Sequence, residues 1–311
     1  MSDPTSSATI NDTTLPPRQM RAFLVMALAL AACFSLPLIQ LVKLALKTEI
    51  QSHILLIPFI FVYLWKTGRS PDSNPQSAIG NPQLTPAFRA SLFPALLAAL
   101  CGLAGLVAYW VLGKSGRIPH NDALSLSTAS FLCFVLAAAL ATLGSSALRP
   151  RFFAIAFLVF MIPLPLALIE FMSLGLQRAS AEAAEWMLAL TGMPTFREGM
   201  RFQFPGLAIM VAEECSGVRS TFVLFITSLL AGHLFLRTGW KKAVLALAIF
   251  PLGILRNGFR VTAISWLTVH VDRGIIDGPL HHHGGPLFFL LSLVPLFGVL
   301  WILRRSDFRQ K

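Results

Sequence analysis

The sequence predicts an all-α, polytopic integral membrane protein with about eight transmembrane helices and both termini in the cytoplasm. Three observations carry that prediction. Of 311 residues, 55% are hydrophobic and 13% charged, and the mean hydropathy is +0.70, a balance that cannot clothe a soluble surface. The apolar residues fall in runs long enough to cross about 30 Å of hydrocarbon as helices. The Lys and Arg behind the net charge of +11 stand in ones and twos between those runs. A phosphate backbone needs a dense basic patch, so the predicted partner is the lipid bilayer and not nucleic acid.

Residues 1–20 are polar and rich in Ser and Thr, and read as a disordered cytoplasmic tail without a cleavable signal. A membrane domain is expected over 21–305, and 306–311 form a second cytoplasmic tail. Within the domain the first span covers 22–46. The second, 52–66, is short and carries Pro58 in "SHILLIPFIFVYLW". The segment "KTGRSPDSNPQSAIGNPQLTPAFR" has the Pro, Ser, Asn and Gly content of a loop. Spans three to five follow at 89–113, 123–147 and 152–169, with "MIPLP" near the end of the fifth. Residues 170–212 are less apolar, and "SLGLQRASAEAAEWMLALTG" within them has an amphipathic helical period, which predicts an outer-face interfacial segment. Spans six to eight are expected at 214–236, 243–270 and 286–303.

Lys and Arg near span ends concentrate on the cytoplasmic side. With the amino terminus inside, the inner segments hold fourteen of them and the outer segments eight. The remaining three, Arg219, Arg256 and Arg260, lie within spans. This orientation brings the start of span six and the loop before span eight together on the outer face of the membrane.

The cysteines, Cys33, Cys101, Cys133 and Cys215, form no CxxC pair, so neither a zinc site nor a dithiol is indicated. The first three lie inside apolar runs and read as small buried hydrophobes. Cys215 differs, because it stands in "EECSGVRS" at 213–220. Charged residues within spans are costly, so each is a functional candidate. Cys215 and Arg219 are four residues apart and are expected to share one face of span six. Arg256 and Arg260 repeat that spacing on span seven. A thiol near a helix amino terminus and an arginine is favoured as thiolate, whereas Glu213 and Glu214 oppose that effect. The glutamates serve equally well to hold an arginine or to receive substrate. A proton acceptor and donor is available in His281, His282 and His283, and a buried Arg is a donor for an oxyanion.

Plainer readings stand beside these. Three histidines followed by Gly-Gly form a metal-binding tract in some contexts, but no acid or thiolate ligand accompanies them at regular spacing, so no metal and no cofactor is predicted. For Arg219 or Arg256 taken alone, pairing with a glutamate or a backbone carbonyl weighs as much as function.

The blocks "CSGVRS" at 215–220, "NGFR" at 257–260 and "HHHGG" at 281–285, in that order, resemble the exosortases and archaeosortases. These are multi-spanning membrane cysteine transpeptidases or proteases that process exported proteins bearing a carboxy-terminal sorting signal. "SHILLIP" and "MIPLP" are similar to that family's supporting segments, and the resemblance extends from about residue 50 to 303. It implies Cys215 as nucleophile, Arg260 as catalytic arginine and His281, four residues before Gly285, as acid/base. His282, His283, Arg219, Asn257 and Glu214 take supporting places. The implied substrate is an exported protein with a transmembrane tail, and the implied acceptor is water or an amine on a surface glycan or lipid. Two rivals from other classes are a non-catalytic component of polysaccharide export or assembly and a quinone-linked thiol oxidase; the latter needs paired outer-face cysteines, and only Cys215 is placed there.

Overall fold

Large apolar side chains cover the outside of this protein. In the computed structural model, which describes residues 17–67, 84–113, 115–204, 207–210, 217–278 and 285–308, Phe59 and Phe93 are each 75% exposed and Leu190 88%. Such a surface is a liability in water and the expected one against lipid. Among the described residues six helices are long and apolar enough to cross a membrane, and eight spans result if two bent helix pairs each count as one. The protein is helical, as expected, and multi-pass.

The chain divides into two compact units, Met1–Pro165 and Leu166–Lys311. In the first, α1 (Pro17–Cys33) and α2 (Ser35–Lys47) make up the first expected span, bent by 74°. The bend falls at Phe34, whose buried ring packs 5.6 Å from that of Phe131. A 3-10 turn, Glu49–Leu55, leads to α3 (Ile57–Thr67). Pro58 lies in the first turn of α3, where its missing N–H has no helical partner to lose. Then come α4 (Leu84–Ala108), α5 (His120–Leu143) packed along it, and two short helices, α6 (Ser145–Leu148) and α7 (Phe152–Phe157).

After α7 the chain leaves helical geometry at 162–165, "IPLP", because Pro163 and Pro165 lack the N–H that would continue the ladder. The carbonyls left over are bonded by side chains from distant positions. Asn121 Nδ2 donates to Leu164 O at 2.7 Å and Ser125 Oγ to Pro163 O at 2.8 Å. Gln51, 1% exposed, donates to Leu164 O and accepts from Leu164 N, each at 3.4 Å. "MIPLP" and the turn that opens into "SHILLIP" are therefore one structure. Away from water such pairing is obligatory.

The second unit begins with α8 (Leu166–Leu190). Span five, expected over 152–169, thus ends early at the proline break, and its last residues join the amphipathic stretch in one helix. Three short strands follow, β1 (Phe196–Glu198), β2 (Arg201–Phe204) and β3 (Leu207–Met210), in an antiparallel sheet of that order. This sheet is a feature the sequence reading did not anticipate. Its signal was the alternation of "RFQF" just after Gly199, which turns the chain at φ +62°. Then come α9 (Val218–Phe235), α10 (Gly239–Leu247), α11 (Ile249–His270), a 3-10 turn at Arg273–Asp277 and α12 (Gly285–Phe308).

Two apolar clusters hold this unit. Ala181, Ala184 and Leu188 of α8 pack with Phe202, Phe204 and Ile209 of the sheet and Val261 of α11. Leu224, Leu245, Ile249 and Leu296 join α9, α10, α11 and α12. Beyond the second cluster, Lys241 Nζ pairs with Asp307 Oδ1 at 2.7 Å, the two side chains 1% and 6% exposed. Asp307 also accepts from Thr238 Oγ1 and Arg237 N. Lys241, a loop charge in the orientation count, is in fact a buried partner that ties the start of α10 to the end of α12.

Candidate functional site

Helix α11 packs against α8, α9 and α12, and it carries the largest share of the candidate residues that can be described. Its approach to α8 is close because Gly258 lacks a Cβ: one placed there would stand 2.8 Å from the Ala183 Cβ and 3.1 Å from the Ala184 amide nitrogen. Thr262 Oγ1 donates to Ala184 O at 3.4 Å beside that contact. The "NGFR" block is therefore also a packing device, with Gly258 facing α8 while Asn257 and Arg260 serve other neighbours. Asn257 is 1% exposed and Arg256 9%.

The amino end of α9 meets that helix. Gly217 adopts φ +72°, ψ 10° as the residue before the first turn, a left-handed conformation that glycine takes without steric cost. Its carbonyl oxygen accepts from Thr221 N at 2.9 Å, Ser220 Oγ at 3.1 Å and Arg256 Nη2 at 3.4 Å. A Cβ at Gly217 would lie 2.7 Å from Arg256 Nη2 and 3.4 Å from Asn257 Cγ. In "CSGVRS" the glycine is thus required twice, by its dihedral angle and by the side chains packed on it.

One expectation changes here. Helix α9 begins at Val218, not at 214, because the left-handed Gly217 interrupts helical geometry. The expected start of span six at 214 thus moves to Val218, and Cys215 lies outside the described residues. Arg219 lies in the first turn of α9 and is exposed.

One turn further along α11, the Arg260 guanidinium carbon is 5.9 Å from the centre of the Phe288 ring, within reach of a cation–π contact. Phe259 meets the same ring edge-on at 6.3 Å. Phe288 belongs to the first turn of α12, which starts at Gly285.

Of the candidates named from sequence, Arg219, Asn257 and Arg260 are described. Asn257 is brought to Gly217, Arg260 to Phe288, and Arg219 to the exposed side of the first turn of α9. Cys215, Glu213, Glu214, His281, His282 and His283 lie outside the described residues. Arg256, which sequence reasoning left evenly balanced between a structural and a functional part, is the charged residue that the fold joins to the Gly217 carbonyl. Its sequence signals were a cation inside an apolar span and a spacing of four from Arg260.

A family model described as transmembrane exosortase matches residues 45–298, most of the chain. No curated protein and no solved structure matches it.

Proposed function

This chain belongs to the transmembrane exosortase family, and from that premise we propose that it is a membrane-embedded cysteine protease or transpeptidase. Its substrate is an exported protein whose carboxy-terminal sorting signal includes a transmembrane tail. The observation that carries the reading is a convergence on α11. Gly217, two residues after Cys215, lies against Arg256 and Asn257, and Phe288, just inside α12, lies against Arg260. Covalent geometry keeps Cys215 within about 7 Å of Gly217. His281 is four residues ahead of Gly285, within about 14 Å along the chain.

In this mechanism Cys215 Sγ, as thiolate, adds to the scissile backbone carbonyl. Arg260 donates to the oxyanion as it forms, and Asn257 and Arg219 support the arrangement. The intermediate collapses with breakage of the C–N bond, and His281, as imidazolium, protonates the departing amine. The product is a thioester on Cys215. Water or an amine on a surface glycan or lipid then attacks it, with neutral imidazole taking the nucleophile's proton, and the thiolate is released. We place both termini in the cytoplasm, residues 170–212 at the outer face and the reaction on the outer side of the inner membrane. The excess of Lys and Arg in the inner segments supports that orientation. A bilayer enzyme suits a substrate whose signal is itself held in lipid.

Co-expression with an exported protein that ends in an apolar span and a basic tail tests the reading. Cys215→Ala abolishes tail removal, read by mass of the mature product, while the enzyme's abundance stays at the wild-type level; normal processing by that variant overturns it. Alanine at His281 gives the larger loss among single substitutions at 281–283, and full activity of all three variants removes the acid/base assignment.

A further inference from the structure

Arg256 immediately precedes the Asn-x-x-Arg block, and the mechanism above gives it no task. Yet it is a buried cation. It is 9% exposed, Nη2 is 3.4 Å from Gly217 O, and Nη1 is buried with no hydrogen-bond partner among the described residues. No carboxylate among the described residues pairs with it, whereas Arg260 lies one turn along the same face and adds like charge. A backbone carbonyl that already accepts from Thr221 N and Ser220 Oγ has little need of a third donor, and a neutral amide would supply one without bringing a full charge into a membrane-crossing helix. The charge itself is what such an arrangement preserves.

We propose that Arg256 is a positioning residue for the nucleophile: it clamps the Gly217 carbonyl, and with it the chain leading to Cys215, and holds positive charge at the amino end of α9. The proposal rests on the reading of Cys215 as nucleophile. A cation held at this place favours the thiolate before attack and opposes loss of negative charge from the site as the oxyanion forms. The amino end of α9 points the same way, since its free N–H groups carry partial positive charge. Arg260, one turn along α11, is a like charge; Arg219 lies in the first turn of α9, and Glu213 and Glu214 precede Cys215 in sequence. Arg256 differs from Arg260 in what it touches: its contact is the protein backbone, not the substrate carbonyl, so its removal acts through Cys215.

The experiment uses purified full-length protein in lipid with a co-reconstituted tailed substrate, and compares Arg256→Gln, Arg256→Lys and Cys215→Ala. In Arg256→Gln, kcat falls about 100-fold with KM within about twofold, because a displaced nucleophile loses rate rather than binding. Alkylation of Cys215 by a maleimide at one fixed neutral pH slows about tenfold, the size of a one-unit change in thiolate favour. Arg256→Lys, which keeps the charge, recovers the alkylation rate to within about threefold of wild type. Size-exclusion profiles and melting curves report the folded fraction in each. Wild-type cleavage and alkylation in Arg256→Gln overturn the proposal, as does a fall of cleavage in step with folded protein in both the Gln and Lys variants. If Cys215→Ala still cleaves, the function reading has failed, and that outcome is separate from either of these.

Discussion

Arg256 Nη2 lies 3.4 Å from the carbonyl oxygen of Gly217, so a guanidinium on α11 stands at the first turn of α9. From Arg256 to the end of α11 at His270 is about 21 Å at 1.5 Å per residue. The charge is therefore set well back from the helix end, along a stretch that α8 covers. This junction connects Gly217, just before α9, with the arginine face of α11.

Gly217→Ala tests the junction from the backbone side. The new Cβ meets Arg256 Nη2 at 2.7 Å, and the left-handed φ of +72° costs an L-residue about 1–2 kcal/mol. Tail cleavage is expected to fall at least about tenfold, more than the loss of folded protein on a melting curve explains.

Arg260→Gln tests the oxyanion assignment. Loss of one such donor costs about 100- to 1000-fold in kcat, and the single-turnover cleavage rate in proteoliposomes is expected to drop by that amount. Phe288→Leu, which removes the ring 5.9 Å from the Arg260 guanidinium, is expected to give a smaller loss, below about tenfold.

Asp307→Asn leaves the Lys241 ammonium buried without its carboxylate. An ammonium left without its counter-charge destabilises the fold, so the variant is expected to melt lower or accumulate less in membranes. Replacing both partners with apolar residues of similar size is expected to restore much of the loss.

Asn121→Ala removes the 2.7 Å bond to Leu164 O at the proline break. Leu164 O keeps the longer bond from Gln51 Nε2 at 3.4 Å, so the loss is expected to be that of one hydrogen bond, about 1 kcal/mol, read as a lower midpoint of thermal unfolding in detergent. Asn121→Asp, which has no N–H to donate, is expected to be no better.

The orientation is checked with single cysteines in a cysteine-free background. A cysteine at Glu198, in β1, is expected to react with an impermeant maleimide in intact cells, and one at Arg305 only after permeabilisation. The reverse pattern would invert the topology.

Membership of the helical, multi-pass class was readable in composition and run length, because apolar helices crossing lipid satisfy their own backbone and need no partner to be recognised. The three blocks around Cys215, Arg260 and His281 were readable as well, since each is a short contiguous string. What was not readable follows from distance along the chain. The start of α9 at Val218 depends on a glycine dihedral that "CSGVRS" permits without requiring. The break at 162–165 depends on Gln51 and Asn121 reaching carbonyls 113 and 43 residues away. Lys241 looked like a loop charge until α12 brought Asp307 to it. Above all, Arg256 and Gly217 are 39 residues apart, and no local period connects them; the packing of α11 against α9 brings them together, through a glycine too small to keep the guanidinium away.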